Sequence, residues 1–163
     1  MAAGYSLTSA GITLANQAVT LAFLNPPASP NVDMMFRRMW VGQSNNMASA
    51  QQRVQLNTQV TAFPTLVSAT PTKLSNVDSA SVITGATTGA AGTCGINASN
   101  ENAGAKTVIW ADVFNVVNGW LLVPLPKEEV EVAAGSASGF GLHLPVAPGT
   151  LTNWAFGFTW IED

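Results

Sequence analysis

The sequence predicts an all-β protein, an antiparallel β-sandwich that is jelly-roll-like, with about eight or nine strands in one domain over residues 1–163. Three observations predict this class. Large apolar side chains recur with period two along several segments, which places them on one face of a strand. Glycine, proline and Asn-Gly turn signals separate these segments. No segment shows the pattern of a helix long enough to cover a sheet, so sheet must pack on sheet.

The strand signals follow one another along the chain. Alternation is clear over residues 35–41, 53–60, 129–132, 140–144 and 154–161. The last segment carries four large aromatic side chains in phase, which puts all four on one strand face. These are Trp154, Phe156, Phe158 and Trp160. The pattern predicts a strand whose aromatic face is covered, either by the core or by a partner.

A hairpin signal lies in the second half of the chain. Asn118-Gly119 separates the apolar segments 112–117 and 120–123. This dipeptide favours the positive φ angles that a two-residue hairpin turn requires. The sequence therefore predicts a β-hairpin at this point, and Pro124 and Pro126 then interrupt the strand that follows.

One segment differs from the rest of the chain. Residues 84–106 are rich in glycine, alanine, threonine and asparagine, and Ile96 is their only large apolar residue. Such a composition buries too little apolar surface to order itself. We therefore predict a long Gly/Ala-rich loop insertion over residues 84–106. This loop either extends outward to a partner or is a flexible surface loop without a binding role.

The low charge of the chain bears on its partners. Only 9% of the residues are Asp, Glu, Lys or Arg, whereas 47% are hydrophobic; about 25% charged is typical. One possibility is a monomer whose surface is formed by uncharged polar residues, Ser, Thr and Asn. The other is that neighbouring copies cover part of the surface, because the cores of protein interfaces contain few charged residues. We favour self-association. Six dispersed basic residues and a net charge of −3 argue against direct nucleic-acid binding.

Neither a membrane segment nor a secretion signal is expected. No apolar run approaches the roughly 20 residues that a spanning helix needs. The first residues lack the basic and apolar regions of a signal peptide.

The residues that carry chemistry are few and scattered. His143 has no Cys or His at a ligand spacing, Cys94 is alone, and no Gly-x-Ser-x-Gly elbow is present. Glu129 and Glu131 share one strand face, which is typical of a solvated surface as well as of a carboxylate pair. A Ser-His-Asp triad assembled from distant residues stays open. We predict no enzyme, no catalytic residue, no metal site and no cofactor.

The candidate interface residues come from the apolar positions of the first segment and from the tryptophans. Residues 1–14 alternate with period two at Leu7, Ile12 and Leu14, and we predict an N-terminal arm there. The complete set of candidate interface residues is Leu7, Ile12, Leu14, Trp40, Trp110, Trp120, Trp154 and Trp160.

The C-terminal half carries a resemblance. It begins at residues 118–126 with the segment Asn-Gly-Trp-Leu-Leu-Val-Pro-Leu-Pro. The 128–132 strand, the Gly-Phe-Gly-Leu-His-Leu-Pro segment at 139–145 and the aromatic strand that ends at residue 162 follow it. Residues 72–80 fit the same pattern. This pattern, over about residues 72–162, resembles small virion structural proteins of tailed bacteriophages, of the capsid decoration or cement type. The segment 84–106 departs from it.

The resemblance implies a function and partners. It implies a non-enzymatic β-sandwich or jelly roll that forms a homotrimer. This trimer would bind the major capsid protein on the outer surface of a phage head and stabilise the shell, after assembly in the bacterial host cytoplasm. We expect the arm or the loops to grip the capsid. The alternative is a head-fibre, tail or adhesin component with a carbohydrate-binding β-sandwich.

Overall fold

A computed structural model describes residues 3–29, 32–45, 49–133 and 138–163. These residues form 13 strands in two sheets and no helix, which confirms the all-β prediction and is consistent with a β-sandwich. The strand number exceeds the expectation because several strands are only two to four residues long. The strands are β1 (Ala3–Ile12), β2 (Val19–Asn25), β3 (Met34–Gln43), β4 (Gln51–Gln59), β5 (Thr65–Ser68), β6 (Thr72–Lys73), β7 (Thr84–Gly85), β8 (Thr93–Asn100), β9 (Lys106–Asn115), β10 (Trp120–Leu122), β11 (Val130–Val132), β12 (Gly139–Leu144) and β13 (Trp154–Glu162).

The two sheets combine strands that are distant in the chain. The first sheet has the order β10-β3-β13-β1-β6, and β11 also pairs with β3. The second sheet has the order β5-β8-β2-β12-β4-β9. All pairings are antiparallel except that of the short β7, which runs parallel to β8.

The core contains a group of aromatic rings that joins the two sheets. The ring of Phe140 on β12 lies 3.9 Å from that of Phe36 on β3, centroid to centroid. The Phe158 ring on β13 meets Phe36 edge-on at 5.1 Å and Trp160 at 5.7 Å. The predicted aromatic face of residues 154–160 is confirmed, since all four rings are fully buried.

Residues 3–12 are a strand, so the predicted N-terminal arm is wrong for them. β1 pairs with β13 from Ala3 opposite Glu162 to Ile12 opposite Trp154, and β6 pairs with it on the other side. Its alternate side chains, Tyr5 and Leu7, are buried in the core. The period-two pattern that indicated an arm is the pattern of a core strand. Residues 1–2 lie outside the described residues.

The predicted loop over residues 84–106 is also wrong, because this segment contains β7 and β8. β8 lies beside β2 on one side and beside both β5 and β7 on the other. A Cβ atom added at Gly95 would lie 2.7 Å from Leu66 Cβ and 2.8 Å from the carbonyl oxygens of Ala86 and Val67. The segment is poor in large side chains because its backbone packs too closely to hold them, and it is nevertheless ordered.

The Asn-Gly turn forms, but it does not close a hairpin. Gly119 has a φ of 71°, and the N–H groups of Asn118 and Gly119 both donate to the Asn115 carbonyl at 3.0 Å. The strands on either side belong to different sheets, since β9 pairs with β4 and β10 pairs with β3. The turn therefore carries the chain from an edge of the second sheet to an edge of the first, and it brings the two edges to one side of the molecule.

Candidate interaction surface

The edge strand β9 is unusual in its length. It has ten residues, whereas the other strands at sheet edges, β5, β6 and β10, have four, two and three. Within the described part of the chain, β4 is the only strand that pairs with it. Its outward-facing N–H and C=O groups therefore have no strand beside them, which is the situation that short edge strands avoid.

Apolar side chains are exposed along β9 and the segment that follows it. Residues 107–113 are exposed without exception, so both faces of the strand meet solvent there. We call residues 107–125 the apolar edge. Eight of its large apolar side chains are between 42% and 64% exposed; they are Val108, Ile109, Trp110, Val113, Val117, Leu121, Val123 and Leu125. Contiguous apolar surface of this kind marks an interaction site in a folded protein.

The apolar edge carries one ionised side chain, Asp112. The Asp112 Oδ2 atom accepts a hydrogen bond from Trp120 Nε1 at 3.1 Å, and Oδ1 accepts one from the Val113 N–H at 2.7 Å. The carboxylate is thus engaged by donors of its own surface. The edge is close to electrically neutral outside this one group.

The eight candidate interface residues divide into two groups. Leu7, Leu14, Trp154 and Trp160 are buried within the chain, so they are core residues with no surface left for a partner. Trp120 is also buried apart from a small fraction, whereas Ile12 and Trp40 are half-buried. Trp110 is the most exposed tryptophan, at 42%, and it lies near the middle of β9. The rings that the sequence assigned to an interface mostly form the core, because their strand face points between the sheets.

Trp40 is engaged within its own sheet. The guanidinium of Arg38 lies over its ring, 5.4 Å from the centroid. A Cβ atom added at Gly157 would lie 2.7 Å from Trp40 Cζ2, so the ring packs closely on that glycine. A groove of about 320 Å³ runs from Trp40 to Trp120. A sugar platform needs an open aromatic face, and at Trp40 the arginine already covers one.

A buried polar cluster lies elsewhere, on the second sheet. Glu101 accepts hydrogen bonds from the Thr20 N–H and from Lys106 Nζ, and from Thr20 Oγ1 at 2.7 Å. Its Oε2 atom is 3.6 Å from Nδ1 of the buried His143. Thr20 Oγ1 is 3.3 Å from the same Nδ1 atom. Sequence reasoning missed Glu101 and Lys106, since they lie in or at the end of the segment assigned to a loop.

The geometry of this cluster is structural rather than catalytic. A catalytic triad places the hydroxyl and the carboxylate at opposite nitrogens of the imidazole. Here both groups meet Nδ1. Burial lowers the pKa of His143 to about 4, with a further lowering by Lys106 and an opposing contribution from Glu101. The imidazole is therefore neutral at pH 7, and the cluster joins β2, β9 and β12.

We expect a pH dependence of stability that His143 causes. An unfolded histidine has a pKa near 6.5 and this one has a pKa of about 4, so the unfolded state binds the proton first as the pH falls. The free energy of unfolding should drop by about 3 kcal/mol between about pH 6.5 and pH 4 from this group alone. Urea denaturation across that range measures it. The variant His143→Gln keeps all the carboxylates and should lack this part of the slope; equal slopes would contradict the assignment.

The other acidic residues that the sequence singled out and the single cysteine lie in ordinary surroundings. Glu129 pairs with Arg37, whereas Glu128 and Glu131 are exposed. Burial, with a contribution from Glu162, raises the pKa of the Cys94 thiol to about 12, so the thiol stays protonated at neutral pH. Among the described residues, no three His, Cys, Asp or Glu side chains come together as metal ligands.

Comparisons with known proteins add no relative. No protein-family model, no curated protein and no solved structure matches this chain. In the described ranges, no helix is long and apolar enough to cross a membrane. Among the described residues, the apolar edge is the most distinctive feature of the surface.

Proposed function

We propose that this protein is a non-enzymatic virion structural protein, a capsid decoration or cement protein that binds the outer surface of a phage head and stabilises the shell. The observation that carries the proposal is the apolar edge, a long exposed strand on a β-sandwich with few charges. The resemblance over about residues 72–162 supports the same assignment.

The physical properties of the surface fit this role. A cement protein holds wide contacts with its neighbours against the pressure of packaged DNA. Taking ionised groups out of water costs free energy, so a surface with few charges forms such contacts at a lower desolvation cost. The backbone of a strand is already ordered, which reduces the conformational entropy lost on association.

The proposed partners are further copies of this chain, as a homotrimer, and the major capsid protein. The protein would be assembled in the bacterial host cytoplasm and located on the phage head. β1 is part of the core, so contact with the capsid is assigned to loops instead of an arm. Leu74 and Val77 lie in one such loop, and their side chains are 58% and 88% exposed.

The carbohydrate-binding alternative receives less support. Among the five tryptophans, two are fully buried and Trp120 nearly so, and Trp40 is covered by Arg38 on one face. Trp110 alone is a single exposed ring on an edge strand, which is not a platform of several coplanar rings. We therefore do not extend the proposal to an adhesin.

Mass spectrometry of purified virions from the phage that carries this gene tests the proposal. We expect the protein in a copy number comparable with that of the major capsid protein, because decoration follows the lattice of the shell. Absence from the virion would refute the proposal. A copy number of only a few per particle would also refute it and would favour a tail or neck component.

A further inference from the structure

We propose that the apolar edge is the surface through which copies of this chain bind one another. This inference rests on the proposed function, in which the chain acts as a homo-oligomer, and it names the residues that form the contact. The partner is a second copy of the same chain, seated along β9 and the 117–125 segment.

The β9 edge is long and has few of the features that protect edge strands in other proteins. Natural proteins shield edge strands by keeping them short or by placing lysine or proline on them. β9 has ten residues, and after Lys106 no basic residue occurs before Lys127. One irregularity is present, because Leu56 pairs with Trp110 while Asn57 pairs with Val108, which leaves Ile109 between them as a bulge. A bulge bends and twists the strand, so contacts across this edge should depend chiefly on side chains.

The size of the edge also bears on self-association. A stable interface covers about 800 Å² on each partner and involves about 20–30 residues a side. The whole chain has a surface of 7699 Å², so such an interface would cover about a tenth of it. β9 is about 34 Å long at the rise of an antiparallel strand, and the 117–125 segment extends the same surface. The apolar edge comprises 19 residues, which is close to the lower end of that range, so it supplies most of one side of such an interface.

The low charge of the edge also favours contact with another copy. Whichever part of a second copy faces the edge, few ionised groups have to leave water or lie beside a like charge. Asp112 is the only ionised group of the edge, and donors from Trp120 and Val113 already engage it. An unlike partner is commonly selected by a complementary charge pattern, which this edge lacks. A neutral apolar surface favours association with its own copy.

The test is the oligomeric state of the purified full chain by light scattering at micromolar concentrations. The wild type should have a mass at an integer multiple of 16.9 kDa, and three copies match the proposed trimer. The double variant Ile109→Lys/Val113→Lys should fall to 16.9 kDa. The control Thr65→Lys/Val67→Lys adds the same charge at exposed positions of β5, the opposite edge of the second sheet, and should keep the wild-type mass.

A milder variant covers the case in which the double variant does not fold. Trp110→Ala adds no charge and should raise the concentration at which half of the chains are dissociated by at least about tenfold. A mass of 16.9 kDa for the wild type would overturn the inference. The inference would also fail if the lysine double variant stayed oligomeric and Trp110→Ala left the concentration of half-dissociation unchanged. These measurements involve no capsid. A monomeric wild type refutes the interface, whereas absence from virions refutes the proposed function and leaves the interface standing.

Discussion

Removal of residues 1–14 will leave the chain unfolded. β1 lies inside the first sheet, hydrogen-bonded to β13 along its whole length and to β6 on the other side. The deletion would expose the backbone of β13 and remove Tyr5 and Leu7 of β1, and Leu14 after it, from the core. Domains of this size have a total stability of about 5–15 kcal/mol, and the loss of this strand and of three buried side chains should exceed it.

Circular dichroism and urea denaturation measure this effect. The truncated chain should show no cooperative unfolding transition. The matched control is deletion of residues 1–2 alone, which removes no residue of β1 and should keep the transition. If the chain without residues 1–14 unfolds cooperatively at the same urea concentration as the wild type, residues 1–14 are an arm after all.

Phe158→Ala will lower the free energy of unfolding by about 3–5 kcal/mol. The Phe158 ring is fully buried and contacts Phe36 on β3, Phe140 on the opposite sheet and Trp160 on its own strand. Truncation removes these contacts and leaves a cavity that rigid neighbouring strands fill only in part.

Urea denaturation at neutral pH gives the size of the loss. Val77→Ala serves as the control, because Val77 is 88% exposed and its truncation should change the stability by less than about 0.5 kcal/mol. A loss below about 1 kcal/mol for Phe158→Ala would mean that the ring is not central to the contact between the sheets.

The sequence predicted those parts of the fold in which large side chains alternate. Residues 154–160 form the expected aromatic strand face because one face packs on the core. The same reasoning failed for β8, since its strand is built from small residues and the glycine content reflects close backbone packing that only the three-dimensional structure reveals. It also failed for β1, where alternation shows that one face is covered but not what covers it.

The candidate surface was predictable only in part. Low charge indicated a covered surface, and Trp110 was among the residues expected to form it. The sequence could not distinguish Trp110 from the other tryptophans, because rings in the core and rings at an interface show the same alternation along a strand. Exposure of Val108, Ile109 and Val113 follows from the position of β9 at a sheet edge, which depends on a strand order that local patterns do not encode.

The central place of the last strand has a consequence for biosynthesis. β13 separates β1 from β3 in the first sheet, so Tyr5 pairs with Trp160 and Met39 pairs with Phe158 only when residues 154–162 are present. During translation β1 and β3 leave the ribosome long before β13, so they lack their common neighbour until then. Folds dominated by such distant contacts form slowly, on the scale of milliseconds to seconds. The nascent chain therefore completes its first sheet only after residues 154–162 leave the ribosome.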